Sequence, residues 1–386
     1  MDASLKKLID TSFDDMTVDI QKSIRIESCL CEANITEEHP FGANVTEALV
    51  SFLQNAERLG FKTHNVDNYA GYVDLGDKGE LIGILAHLDV VPEGKHSMWN
   101  LPPYSGEIAD GKLFGRGSAD DKGPAFAALY AMKAIRDSET ELNCRFRLIV
   151  GLDEESGGRC IARYLKTEEC PAYSFSPDAS FPLINAEKGI LRGYIQNTFE
   201  TGSGAPLKLI GIKGGSRYNV VPDEAEALFR GTLSAAEISA LAAFPSVSVK
   251  LEDGLIKVRA EGVSAHAMEP ERGKNAAAEL LAAIKALNLA DEPLHRYAAF
   301  IAEKFADFNG KALGIDMEDE ISGALTCNLG IIDCSEKSCK ISLDIRYPVT
   351  KEGSDVVTKL NSALAPANVS FTVDRDKKPL FVSPDA

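Results

Sequence analysis

The chain has 386 residues, 45% hydrophobic and 26% charged, with 41 Lys and Arg against 58 Asp and Glu for a formal net charge of −17. That length accommodates two domains with cores of their own. The acidic balance excludes nucleic acid as a partner, because gripping a phosphate backbone requires clustered Lys and Arg. No window approaches the roughly 18 continuous apolar residues of a membrane span, and the opening MDASLKKLIDTSFDDM lacks a signal-peptide core. No membrane partner is expected. Eight cysteines (Cys29, Cys31, Cys144, Cys160, Cys170, Cys327, Cys334 and Cys339) form neither a C-x-x-C pair nor a dense framework, and are read as free thiols of a reducing cytoplasm.

The first half alternates helices and strands. TEALVSFLQNAERLG places Leu49, Phe52, Leu53 and Ala56 at helical spacing, with Gly60 as a stop. LIGILA is a short apolar run of the kind that fills a buried strand. GPAFAALYAMKAIRD reads as a helix entered through Gly123 and Pro124, apolar on most faces and therefore well buried. CRFRLIVGL and AYSFSP follow as strands. Strands separated by helices predict a largely parallel sheet.

Near residue 186 the texture changes. VSVKLEDGLIKVRAEG is a strand, an Asp-Gly turn and a strand, and CNLGIIDCSEKSCKISLDIRYP is a second hairpin. Helical stretches lie between and after them: AAEISALAAF, KNAAAELLAAIKALNLA, LHRYAAFIAEKFADF and GSDVVTKLNSAL. The expectation is an α+β domain that repeats a strand-pair-plus-helix plan.

Four acidic or histidine clusters fall just beyond predicted strands or in the loops that follow: His87 with Asp89, Asp120 with Asp121, Asp153-Glu154-Glu155, and Asp178. In an open α/β sheet the crevice at the carboxyl ends of the strands is where ligands bind, so groups distant in sequence converge at one edge. Converging carboxylates need a cation. One His with several Asp and Glu suits zinc, manganese or cobalt, and a dinuclear site needs a bridging carboxylate with a base near the bridging water. Taken singly, each cluster has a plainer reading as a solvated turn, a helix cap or a turn residue. Their shared placement is what points to a metal site. His39, His64, His96 and His295 lack such company and are read as surface or packing residues. There is no G-x-S-x-G elbow and no phosphate loop, and Gly115 and Gly117 are flanked by acids that would repel a pyrophosphate.

AHLDVVPEG, WNLPPYSGEIADGKLFGRGSADDKGP, DEESGG and SPDASFPLINAEKG together resemble the di-zinc aminoacylase/carboxypeptidase family of metallopeptidases. With VSAHAMEPERGKNAA they look most like its PepV-type bacterial dipeptidases. The resemblance implies an α/β, mostly parallel-sheet catalytic domain over residues 1–185 and an inserted, doubled ferredoxin-like α+β lid over 186–378. Residues 379–386 would then begin a returning catalytic segment. It implies that His87 and Asp178 hold one zinc, that Asp120 bridges, and that Glu155 binds the other zinc. Glu154 would be the general base on the bridging water, and Asp89 would orient the His87 ring. His266 would polarise the scissile carbonyl, while Asn219 and Arg346 would grip the substrate. A cis peptide is implied at Asp120–Asp121.

The implied reaction is hydrolysis of dipeptides with release of the N-terminal amino acid, by a cytoplasmic enzyme carrying two Zn2+ per complete site, with Mn2+ or Co2+ as substitutes. The alternatives are an N-acyl-amino-acid deacylase of the same mechanism and an inactive fragment that only binds metal or peptide. One departure stands out: the family's last segment supplies a final His ligand, and no His follows His295. On that comparison the chain is expected to be truncated. It would hold at most one metal tightly, at His87, Asp120 and Asp178, and would turn over dipeptides negligibly. The complete form is expected to be a monomer, and the truncated form to associate.

Overall fold

The computed structural model describes residues 3–94, 96–180, 182–200, 206–287, 289 and 292–385. Phe181 of SPDASFP and parts of KNAAAELLAAIKALNLA lie outside them. The chain divides into two compact units, Met1–Leu183 and Ile184–Ala386.

In chain order the first unit comprises α1 (Ala3–Ile24), α2 (Ala43–Arg58), β1 (Thr63–Val66), β2 (Ala70–Leu75), β3 (Leu81–His87), β4 (Glu107–Ala109), β5 (Lys112–Phe114), α3 (Lys122–Asp137), β6 (Arg145–Gly151), α4 (Arg159–Thr167) and β7 (Tyr173–Phe175). Its five-stranded sheet runs β1-β2-β6-β3-β7. The β6-β3-β7 part is parallel, and β1 and β2 form an antiparallel edge. The apolar stripe of α2, Val45, Leu49, Phe52, Leu53 and Ala56, is buried on this sheet together with Phe126 and Leu129 of α3 and Leu148 and Val150 of β6. Each of these Val, Leu and Phe side chains contributes about 1.5–3 kcal/mol through removal from water. Gly60, at φ 89°, ends α2 in the left-handed conformation that glycine adopts without strain.

The second unit comprises β8 (Ala186–Glu187), β9 (Gly189–Thr198), β10 (Leu207–Gly214), β11 (Glu224–Gly231), α5 (Ala235–Ala242), β12 (Val247–Glu252), β13 (Leu255–Glu261), α6 (Ala276–Ala286), α7 (Pro293–Lys304), β14 (Glu318–Asp319), β15 (Gly323–Ala324), β16 (Thr326–Ser335), β17 (Ser338–Tyr347), α8 (Gly353–Leu364), β18 (Phe371–Lys377) and β19 (Leu380–Phe381). One antiparallel sheet of eight strands, in the order β12-β13-β11-β10-β16-β17-β9-β18, joins both hairpins seen in the sequence. The Asp253-Gly254 turn has φ 49° and 75°, the paired positive values of a two-residue hairpin loop. Ser234 and Glu237 close a capping box on α5, and Asn275 caps α6 through Ala277 and Ala278.

The two-residue ladder of β8 with β19 pairs Ala186 with Phe381 and Glu187 with Leu380. Six of the eight cysteines are free thiols, but Cys334 and Cys339, facing each other across β16 and β17, are joined as a disulfide. The all-free reading is therefore corrected for that pair: the hairpin register places the two side chains opposite each other, which their sequence spacing does not show. Among the described residues no helix is long and apolar enough to cross a membrane.

Candidate metal centre

His87 is the last residue of β3, and the backbone continues the parallel ladder one step further, Leu88 N donating to Gly151 O at 2.9 Å. The strand end thereby delivers an imidazole into the space beside the ends of β6 and β7, and the side chain is only 3% exposed. Its Nδ1 meets the backbone carbonyl of Asp89 at 2.9 Å, while the Asp89 carboxylate lies at 3.4 Å. The carbonyl therefore sets the ring, which turns Nε2 towards Asp120 Oδ1 at 3.0 Å and Asp178 Oδ2 at 3.4 Å. Nε2 is buried and has no hydrogen-bond partner among the described residues.

The carboxylate of Asp89 is engaged elsewhere, accepting the backbone N–H of Glu154 at 3.2 Å and of Glu155 at 3.1 Å. It thus braces the turn after β6 that presents both glutamates. Asp153, the third acid of that run, points away from them. It is 1% exposed and is bound by Arg159 through Nε and Nη2, each at 2.8 Å. The three adjacent acids are thereby divided between one internal ion pair and two site carboxylates.

Asp120 stands in the loop before α3, whose start packs closely: a Cβ added at Gly123 would lie 2.1 Å from Ser118 O. The Asp120–Asp121 peptide is cis. Asp178 follows Ser176, whose hydroxyl donates to Leu85 O at 2.7 Å and ties the loop after β7 to β3. Two sets of three residues, His87 with Glu154 and Asp178 and His87 with Asp120 and Glu155, each bring three ligand atoms within 4.8 Å of one another.

The electrostatics record the crowding. Burial first, and the charge of Asp120 second, push Glu155 up to about 7. Burial likewise raises Glu154, and it raises Asp121 to about 7. For His87, burial favours the neutral ring, but Asp120, Asp178 and Asp89 outweigh it and hold the imidazole well above its ordinary value. Without a cation, a proton on His87 is the counter-charge for the carboxylates. A divalent ion would take that role and displace the proton, as metal binding at a His site requires. A buried ring nitrogen with no hydrogen-bond partner, its orientation fixed through the other nitrogen, amid oxygen donors, fits such an ion.

Lys122, buried near the site, was not legible in the sequence, and Asp121, read there only as a neighbour of Asp120 or a helix cap, is buried as well. Asp121 accepts the backbone N–H of His87 at 3.0 Å. Lys122, fully buried, donates to Ser23 O at 2.8 Å and Ile26 O at 2.7 Å, tying the start of α3 to the end of α1. The one available signal is that these charges open a helix that is apolar on nearly every face.

In the second unit, Asn219 O accepts Ala267 N at 2.9 Å, and Val220 bridges to His266. The Arg346 charge acts on His266, whose imidazole is lowered by burial first and by Arg346 second. Arg346 is itself fixed by the fully buried Asp344, Nε to Oδ1 at 2.6 Å, and Asp344 also binds Arg192 Nε at 2.6 Å. Asn219, His266 and Arg346 thus share one neighbourhood. Asp344 was missed because a charge inside ISLDIRYP reads as an outward-facing strand residue, whereas β17 is buried on both faces; Arg192 was missed because its partner Asp344 lies 152 residues away.

Residues 83–384 match the model of peptidase family M20/M25/M40. "Putative dipeptidase YtjP" of Bacillus subtilis (strain 168) is 38% identical over 380 residues, covering 96% of this chain and 81% of that protein. A "Putative dipeptidase" of Staphylococcus epidermidis is 32% identical over 389 residues, covering 95% and 80%. Human carnosine dipeptidase 1 shares the fold, with a TM-score of 0.53 at 17% identity over 100% of this chain and 83% of that one.

Proposed function

Because the chain belongs to peptidase family M20/M25/M40 and is thereby a hydrolase acting on peptide bonds, we propose that it is a divalent-metal-dependent dipeptidase. The observation that carries this reading is the convergence of Asp120, Asp178, Glu154 and Glu155 around the His87 Nε2, which has no hydrogen-bond partner. His87, Asp120 and Asp178 would hold the ion, with Glu155 and Asp120 offering a weaker, all-carboxylate place for another. Both three-residue sets need the same Nε2, since Nδ1 is engaged by Asp89 O. One imidazole serves one ion, so a single tightly held metal is favoured. Bound there, zinc, manganese or cobalt would supply Lewis acidity towards the peptide carbonyl and make water more acidic.

The protein's own groups do the rest. Glu154 takes the proton of the attacking water and passes it to the leaving amine. Its burial favours the protonated form and so helps that return. Asp89 keeps Glu154 and Glu155 in place through their backbone N–H groups. The Arg346 guanidinium, held by Asp344, suits a substrate carboxylate, which it can bind with two parallel hydrogen bonds. His266, below its ordinary value, is neutral at pH 7 and offers a neutral donor to a carbonyl oxygen, and Asn219 adds a further polar contact.

The test is to strip the purified chain of metal, reload it with zinc or manganese, and assay a dipeptide panel against N-acetyl and N-succinyl amino acids. Metal-dependent release of free amino acids from dipeptides is expected, at the low rate that a single tightly held ion allows. Preference for the N-acyl substrates would replace the dipeptidase reading by a deacylase one.

A further inference from the structure

We propose that the second unit carries a binding pocket for a free α-amino acid, between Glu292 and the ion pair of Lys208 with Glu336. The cavity there measures about 140 Å³, close to the about 150 Å³ that holds a benzene-sized molecule. Phe199, Leu209 and Leu294 form its apolar wall.

Glu292 is 1% exposed, and its Oε1 has no hydrogen-bond partner among the described residues. It stands at the N-cap of α7, yet its side chain makes no capping bond, so the helix does not account for it. The other oxygen, Oε2, lies 4.0 Å from Lys208 Nζ, which is committed to Glu336 at 2.8 Å. A buried carboxylate oxygen with no donor carries its whole desolvation penalty. A ligand that supplies a charged N–H donor removes that penalty.

The charges around the cavity select the ligand. Two carboxylates and two ammonium groups, Lys208 and Lys337, line it. A simple anion would meet buried Glu292. A metal ion would find no imidazole or thiolate and would face two lysines. A zwitterion matches both signs: its ammonium group on Glu292, its carboxylate towards Lys208 and Lys337, and a short aliphatic side chain on the apolar wall. The inference stands on this chemistry and not on the peptidase reading, although a dipeptide hydrolase would meet such a ligand as its own product.

The test is calorimetric titration of the full chain with L-valine in excess EDTA, which keeps the first unit's metal site out of the measurement. Saturable one-to-one binding is expected, weakened about tenfold or more by Glu292→Gln and by Lys208→Ala, each with an unchanged far-UV spectrum. Isovalerate and isobutylamine, which lack the ammonium and the carboxylate respectively, should each bind at least about tenfold more weakly than valine. Absence of saturable binding up to about 20 mM valine would overturn the proposal. So would parental affinity in both variants, or isobutylamine binding as tightly as valine.

Discussion

Asp89→Asn separates two ways in which one buried residue could support the metal centre. The parent carboxylate accepts Glu154 N at 3.2 Å and Glu155 N at 3.1 Å, and the backbone carbonyl independently holds His87 Nδ1 at 2.9 Å. Asn keeps the carbonyl and nearly the same shape, but one carboxylate oxygen becomes an NH2 group that cannot accept. One backbone N–H then loses its acceptor, at about 1–3 kcal/mol, and the other exchanges a charged acceptor for a neutral one, at about 1 kcal/mol more. The first unit should therefore lose about 2–4 kcal/mol in a urea titration. Displacing the base by about an ångström should lower kcat about 10²-fold. Metal content, measured by elemental analysis, should stay the same because the ring is still held. Unchanged stability would refute the bracing argument. Metal loss at full stability would show that the carboxylate acts through the His87 ring instead.

Further outcomes follow from the same geometry. Glu154→Gln should lower kcat by about 10²–10⁴-fold with metal content intact, and loss of metal together with activity would place Glu154 among the ligands. Reloading the stripped chain with zinc should restore activity and give one tightly held ion per chain by elemental analysis, whereas two would refute the single-imidazole argument. At a free metal concentration about 100-fold over Kd, the ion should add about 2.7 kcal/mol to stability. Asp319 accepts Ile321 N at 3.1 Å, Ser322 Oγ at 2.9 Å and Thr350 N at 3.0 Å. Burial raises its carboxyl, but the donors of Ser322 and Thr350 outweigh burial and hold it well below the usual carboxylate range. A depressed carboxyl stabilises above its unfolded pKa of about 3.9 and loses that contribution as pH falls through the lower folded value. Asp319→Ala should therefore cost the second unit about 1.5–3 kcal/mol at pH 6 and progressively less in acid. A penalty that does not vary with pH would show that the side chain acts by packing alone.

The elements were legible wherever one period dominated. The α2 stripe at Leu49, Phe52, Leu53 and Ala56 and the Asp253-Gly254 hairpin turn are local patterns with local causes. The candidate site residues were legible as a group because acids and one histidine recur just past strands, and the chain has to end its strands somewhere near one edge. What escaped depends on contacts made at a distance. That β2 runs antiparallel beside β6 is a pairing choice that periodicity does not encode. Asp153 gave no sign in the sequence of the Arg159 that binds it. Asp344, Lys122 and Glu292 are buried charges, and burial of a charge is decided by partners or cavities far along the chain, to which a period of 2 or 3.6 residues is blind.

The short β8–β19 ladder bears on how the second unit could be handled as a part. Its entry at Ala186–Glu187 and its exit at Leu380–Phe381 sit one strand spacing apart, so the folded unit closes on itself like a bead whose two thread-holes are side by side. To the polypeptide that carries it, almost 200 residues then act as a connection of a few, and the loop-closure entropy, which grows only with the logarithm of length, nearly vanishes once the bead has formed. Such a module's own ends can be joined by a tight turn across that ladder without disturbing its sheet.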